Sequence, residues 1–318
     1  MPGERRAGDD EIVLVHVSPV RMTLRIVALA LALVVATVGI LYGDQITRYA
    51  THLKGSPTET VAWHPLAADD PPELHLTVVG DVGDSGGRLD ATARAVDEMD
   101  AIDPFDGLVL TGDNVYPAGD PTKLPDTVFG PFAHVLTGAD LYAVLGNHDV
   151  MDAHGQAQLD ALGMPGPWWA RHLGDVLLIG LDSNHADDPD QRAWLERTLA
   201  AATETWRIVV VHHPPYSAGY QGSSDAVRAA FVPLFERYGV QLVISGHDHD
   251  YQRSVPIDGV TYVVTGGAAG TRRTGEDDFT AVSFSWHHFV EVGVFADRLV
   301  VRAVNQDERV ADEATIEP

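Results

Sequence analysis

The apolar run Leu108, Val109, Leu110 leads through Thr111 into Gly112-Asp113-Asn114-Val115-Tyr116. A short apolar run ending in glycine and a carboxylate reads as a buried strand whose C-terminal end delivers Asp113 into a crevice. Four other segments share this grammar: Gly80-Asp81-Val82-Gly83, Gly146-Asn147-His148-Asp149, His212-His213-Pro214 and Gly246-His247-Asp248-His249. Five strand ends of this kind can converge on the C-terminal edge of a sheet.

Around them strands and helices alternate, which argues for an α/β fold. Strands are expected at 74–79, 108–110, 141–145, 176–181, 208–211, 242–244 and 262–264. Helices are expected at 90–99, 191–202, with Trp194, Leu195 and Leu199 on one face, and 225–238. A loop-rich crossover with Phe129 and Phe132 joins the second and third strands. Residues 289–295 and 299–304 alternate as an antiparallel hairpin does. The turn Gly266-Gly267-Ala268-Ala269-Gly270 reads as close backbone approach near the site, since no phosphate-loop pattern accompanies it.

The remaining chain sets the context. Of the 318 residues, about 235 (73–307) form one catalytic domain. Residues 26–43 carry no charge and follow Arg21 and Arg25, at the lower edge of membrane-spanning length. They are expected to form an uncleaved signal anchor or transmembrane helix after a cytoplasmic segment, 1–25, with more arginines before the span than basic residues after it. The catalytic domain then faces away from the cytoplasm, or is secreted if the segment is cleaved. Residues 44–72 read as a stalk or linker and 308–318 as a tail. The formal net charge of −25, with two lysines, leaves no basic stripe for a nucleic-acid backbone. There are no cysteines, so a metal here must use oxygen and nitrogen ligands.

Asp81, Asp113, Tyr116, Asn147, His212, His247 and His249 are such donors, and they suit Fe, Zn or Mn. Seven are too many for one ion, so a carboxylate must bridge two ions, roughly 3.5–4 Å apart, in the clamp used for displacement at phosphorus. Singly, each segment could be a turn or a capped strand end. The strongest single signal is Gly-His-x-His.

In this order the five segments resemble the calcineurin-like metallophosphoesterases, and more narrowly the purple acid phosphatases of the tartrate-resistant type. The resemblance covers about residues 73–305 and implies two mixed β-sheets packed face to face with helices outside. The usual Asp-x-His of the first motif is Asp81-Val82-Gly83 here. The tyrosine that replaces that histidine in the purple branch stands three residues after Asp113, at Tyr116. A phenol with a reference pKa of about 10 needs a strongly Lewis-acidic ion such as Fe(III) to stay ionised. The resemblance puts Asp81, Tyr116 and His249 on that ion. Asn147, His212 and His247 fall on a second, Fe(II), Zn or Mn, and Asp113 bridges.

It also implies that a hydroxide generated at the metals attacks a small phosphomonoester in line. His148 then stabilises the phosphoryl oxygens or protonates the leaving alcohol. Relatives often carry Glu-His where Tyr220-Gln221 stand, which leaves His148 the principal proton donor. A phosphodiesterase or nucleotide hydrolase of the same fold, and a non-catalytic surface protein stabilised by metal, are the alternatives. His213 is expected to be structural, His287 and His288 to be packing or surface residues, and Asp84, Asp149, Asp248 and Asp250 to support the motifs.

Overall fold

Every residue of Leu74–Val79 is buried, because both faces of this strand are covered. Leu74, Leu76 and Val78 face a second sheet, whereas Val79 packs against an outer helical layer. A strand covered on both sides is apolar at most positions, and the two polar residues that interrupt this one, His75 and Thr77, are buried with it, His75 Nε2 lying 3.0 Å from Glu291 Oε1. A computed structural model describes residues 59–66 and 71–318. This strand is β2, and the short β1 (Val61–Ala62) precedes it. After it come α1 (Gly87–Asp100), β3 (Gly107–Leu110), β4 (Asp140–Ala143), α2 (Gly155–Leu162), β5 (Trp169–Leu173), β6 (Val176–Leu181), α3 (Pro189–Ala201) and β7 (Trp206–Val211). Then follow α4 (Asp225–Arg237), β8 (Leu242–Ser245), β9 (Tyr251–Ser254), β10 (Thr261–Thr265), β11 (Thr280–Phe284), β12 (His288–Val294), β13 (Leu299–Asn305) and β14 (Arg309–Ile316).

The strands make two seven-stranded mixed sheets, ordered β1-β14-β13-β12-β2-β3-β4 and β11-β9-β10-β8-β7-β6-β5. In the first, β2, β3 and β4 are parallel, and β12 to β14 extend them as an antiparallel meander that contains the expected hairpin. In the second, β6, β7, β8 and β10 are parallel. The ends that carry the motifs therefore lie on one edge of each sheet.

Between the sheets pack Leu76, Val78 and Val109 against Leu178, Trp206, Ile208 and Ile244. Outside the first sheet, Leu89, Val96 and Met99 of α1 cover Leu108 and Leu110. Outside the second, Leu195 and Leu199 of α3 and Phe231 and Phe235 of α4 cover Ile179 and Val209. The expected sandwich of two mixed sheets between helical layers is the architecture found. Helix α3 starts where Asp188 accepts from the amides of Asp190 and Gln191, with Pro189 in the first turn.

Several elements differ from the sequence reading. Residues 308–318 are not a tail, since β14 pairs with β13 along its length. The stretch 44–72 is not linker throughout, because β1 pairs with β14. There the Trp63 indole donates to Glu291 and the Arg302 guanidinium to the carbonyl of His64, fastening this segment to the first sheet. Helix α2 and strands β5, β9 and β11 were not anticipated either. Strands β5 and β11 lie at sheet edges with partly exposed faces, so neither shows a continuous apolar run. The crossover 111–139 holds only short turns of 3-10 and π geometry, with Phe132 buried and Phe129 partly exposed. The expected segments 1–25 and 26–43 lie outside the described residues. Among the described residues no helix is long and apolar enough to cross a membrane.

Candidate metal centre

Asp81, Asp113 and His247 all have positive φ, at 57°, 53° and 70°. Non-glycine residues seldom adopt this conformation, and where it persists the surroundings over-determine it. Here they do: the Asp81 amide donates to Gly112 O (3.2 Å), and the His247 amide to Asp81 Oδ2 (2.9 Å). Sharp turns at the ends of β2, β3 and β8 thus aim three donor side chains at one point. Glycine is required beside them. A Cβ on Gly146 would stand 2.1 Å from Asp113 Oδ1.

All seven expected donors converge there. The Tyr116 hydroxyl lies 3.1 Å from both Asp81 Oδ1 and Asp113 Oδ2, and 3.0 Å from His249 Nε2. His249 Nε2 is 3.4 Å from Asp81 Oδ1. On the other side, His212 Nε2 is 3.2 Å from Asn147 Oδ1 and from His247 Nδ1, and 3.5 Å from Asp113 Oδ1. One Asp113 oxygen thus faces each group. Asp81, Asp113 and His212 form a buried floor, while Tyr116, Asn147, His247 and His249 are half-buried around it. His148 stands at the rim: its Nδ1 donates to Pro117 O (2.6 Å), which turns Nε2 inward to 4.0 Å from Asp113 Oδ2.

The donor chemistry fits cations. His212 Nδ1 is 2.9 Å from the carbonyl of Thr111, which can only accept, so Nδ1 carries the proton. Nε2 then presents a lone pair to the Asp113 carboxylate, an arrangement that a positive ion between them would satisfy. Burial, followed by the neighbouring His213, holds His212 well below the usual imidazole range. His247 is pushed down to about 2 by burial and then by His212 and His213. Burial pushes the Asp81 carboxyl up to about 6 and drives the Tyr116 phenol far above its ordinary value, with the charges of Asp81 and Asp113 adding to the latter. Neutral imidazoles and a phenol packed on buried carboxylates are suited to binding positive charge.

Residues 74–251 match the family described as calcineurin-like phosphoesterase. The chain belongs to the calcineurin-like phosphoesterase family. Among curated proteins, it is 26% identical over 239 residues to purple acid phosphatase 7 of Arabidopsis thaliana, covering 64% of this chain and 72% of that one. It is also 26% identical over 242 residues to human (Homo sapiens) tartrate-resistant acid phosphatase type 5, covering 63% and 74%. Among solved structures, the fold is similar to purple acid phosphatase PPD1 from yellow lupin (Lupinus luteus) seeds, with a TM-score of 0.70, 17% identity and coverage of 80% of this chain and 55% of that one. It is similar as well to GAP50, the anchor in the inner membrane complex of Plasmodium, with a TM-score of 0.69, 18% identity and coverage of 77% and 88%.

This calcineurin-like phosphoesterase is thus a metallophosphoesterase, a hydrolase resembling purple acid phosphatases, and the family implies a two-metal site. Its donors are braced from behind. Asp149, fully buried, accepts from the amides of Asn114, Val115 and Gly146 and from the side chains of Asn114 and Gln158, tying the β3 loop to the β4 loop. Asp248 accepts from the Ser217 hydroxyl and from the amides of Gln221 and Gly222, and so fixes the 217–222 loop to the His247–His249 turn. Both carboxylates support the motifs, as expected of them.

His213 comes closer to the centre than expected. Its ring lies 4.4 Å from that of His247, although its Nδ1 is engaged with the Ser183 hydroxyl at 2.7 Å. The sequence reading missed the orienting carbonyl of Thr111, whose place between the apolar run and Gly112 is the one local signal for it. It also missed Gln158, which nothing near it in the sequence marks. The glycine turn approaches closely, as anticipated: a Cβ on Gly266 would meet Asp81 Oδ2 at 2.6 Å. His288 packs in the core, while Asp84 pairs with Arg88 on the surface.

Proposed function

We propose that this phosphoesterase holds two metal ions and hydrolyses small phosphomonoesters. Asp81, Tyr116 and His249 hold the first ion, Asn147, His212 and His247 the second, and Asp113 bridges. The observation that carries the reading is the Tyr116 hydroxyl, seated 3.0–3.1 Å from Asp81, Asp113 and His249, in a chain whose first motif lacks its histidine. A phenol, with a reference pKa of about 10, binds as phenolate near neutral pH on a strongly Lewis-acidic ion such as Fe(III), with Fe(II), Zn or Mn at the imidazole and amide side. When bound, the ions supply Lewis acidity and a water acidic enough to act as a nucleophile near neutral pH.

The chain's own groups do the rest. Thr111 O sets the His212 tautomer. The Asp149 contacts hold the turn that carries Asn147 and His148. His148 donates from Nδ1 to Pro117 O, so it is in its doubly protonated form that Nε2, facing the site, donates to a phosphoryl oxygen or to the departing alcohol. The purple acid phosphatase relatives support the monoester as substrate class. For residues 26–43 the charge-free run and its flanking arginines support a membrane anchor, with the catalytic domain outside the cytoplasm.

The visible spectrum of the metal-loaded protein, with Tyr116→Phe beside it and hydrolysis of an aryl monoester and diester, tests this. A broad band lost in the variant and preference for the monoester are expected. A colourless protein that prefers the diester overturns both the iron assignment and the substrate class.

A further inference from the structure

Two loops packed on the His247–His249 turn meet each other through Tyr220 and Arg272. The first, 217–222, is anchored by Asp248 and carries Tyr220, which is 58% exposed. The second follows the glycine turn. A Cβ on Gly270 would lie 3.4 Å from His249 Nδ1, and the Arg272 amide donates to His249 O at 2.7 Å. The Ser285 hydroxyl donates to Arg272 O, so the backbone of Arg272 is held at both its polar groups. Its exposed guanidinium lies over the Tyr220 ring, 5.6 Å from the centroid. Among the described residues it has no carboxylate partner.

In a chain of formal net charge −25, an arginine left without an acid, beside a metal centre, is placed for an anion from outside. Stacking on Tyr220 restricts the guanidinium without using its N–H donors. The backbone anchor at His249 O ties Arg272 to the turn that carries His249, one of the residues proposed to hold the first ion.

We propose that Arg272, braced on Tyr220, binds a second anionic group carried on the leaving-group side of the phosphoester. This rests on the phosphoesterase reading above, and it assigns the substrate class more narrowly, to phosphate esters that bear a further phosphate or carboxylate. The planar guanidinium accepts such a group through paired N–H donors.

The test compares propane-1,3-diol bisphosphate with propyl phosphate on the metal-loaded full chain. The wild type is expected to favour the bisphosphate in kcat/KM. Arg272→Met lowers that preference about tenfold, mainly through KM, whereas Arg272→Lys retains part of it and Tyr220→Leu lowers it about threefold. An unchanged preference in Arg272→Met overturns the proposal. Calorimetric binding of propane-1,3-diylbisphosphonate relative to propylphosphonate, whose C–P bonds are not hydrolysed, makes the same comparison without turnover. Loss of hydrolysis in the wild type would therefore contradict the function, while equal binding by wild type and Arg272→Met would contradict the Arg272 contact.

Discussion

The amide of His148 donates to Asp113 Oδ1 at 2.9 Å, while the ring Nε2 of the same residue stands 4.0 Å from Asp113 Oδ2. The backbone of His148 thus holds the central carboxylate, and its side chain overlooks it. His148→Ala keeps the first contact and removes the second. Metal content should therefore be unchanged while kcat falls roughly 10²–10⁴-fold for alkyl phosphates, whose leaving groups need a proton, and less for activated aryl phosphates. Steady-state kinetics on both esters, with metal analysis of the same samples, checks this. Full activity on the alkyl ester would remove His148 from the chemistry.

Asp149 should matter as much for folding as for the site. Its two oxygens together accept from three amides and two side-chain donors, all buried. Asp149→Ala leaves several of these donors without a partner, at about 3 kcal/mol or more. A lowered denaturation midpoint, together with weaker metal retention, is the expected outcome. Unchanged stability would show that water replaces the carboxylate at no cost.

Gly146 tests how tightly the centre is packed. A methyl group there would overlap Asp113 Oδ1 at 2.1 Å and the Asp113 amide nitrogen at 2.3 Å, so the bridging carboxylate must move. Gly146→Ala should lose at least half of the bound metal and most activity, by metal analysis and hydrolysis assay. Gly138→Ala, where nothing lies within 4 Å of the added atom, serves as the control and should behave as wild type.

The pH dependence of stability should carry the signature of His288. This residue is buried between Tyr251 and Phe284, with Nδ1 donating to Trp286 O and Nε2 3.0 Å from the Thr265 hydroxyl. Burial pushes its pKa down from 6.5 to about 4. Between those values the unfolded chain binds the proton and the folded chain does not, so stability is lost as pH falls from about 6.5 to about 4. The contribution is on the order of 3 kcal/mol. Denaturant unfolding of wild type and His288→Asn across this window should show the wild type losing stability relative to the variant. Parallel pH profiles would contradict the assignment.

What was legible in the sequence follows from which surfaces are covered. Strands β2 and β6 are buried on both faces and have the bounds expected of them, β6 as a continuous apolar run and β2 as one broken only by His75 and Thr77. Strand β9, Tyr251–Ser254, is nearly as buried but polar, and its side chains are satisfied far along the chain. Arg253 pairs with Asp312 of β14, and Gln252 accepts from the Ala218 amide. No local pattern announces such a strand. The same holds at the centre. Motif side chains adjoin glycines because turns of positive φ and close approach demand them, so those residues could be read directly. The meeting of Tyr220 with Arg272, and of Ser183 with His213, joins loops remote in sequence and exists only once both sheets are folded.

Under the proposed function, seven side chains hold two ions through one shared carboxylate. Metal stoichiometry of the purified full chain, measured by elemental mass spectrometry for wild type and Asp113→Ala, tests this most directly. About two ions per chain in the wild type, with one of them iron, and fewer than one in the variant are predicted, because both sites lose the ligand they share. A wild type with a single ion, or a variant that keeps the full complement, would contradict the shared-carboxylate centre.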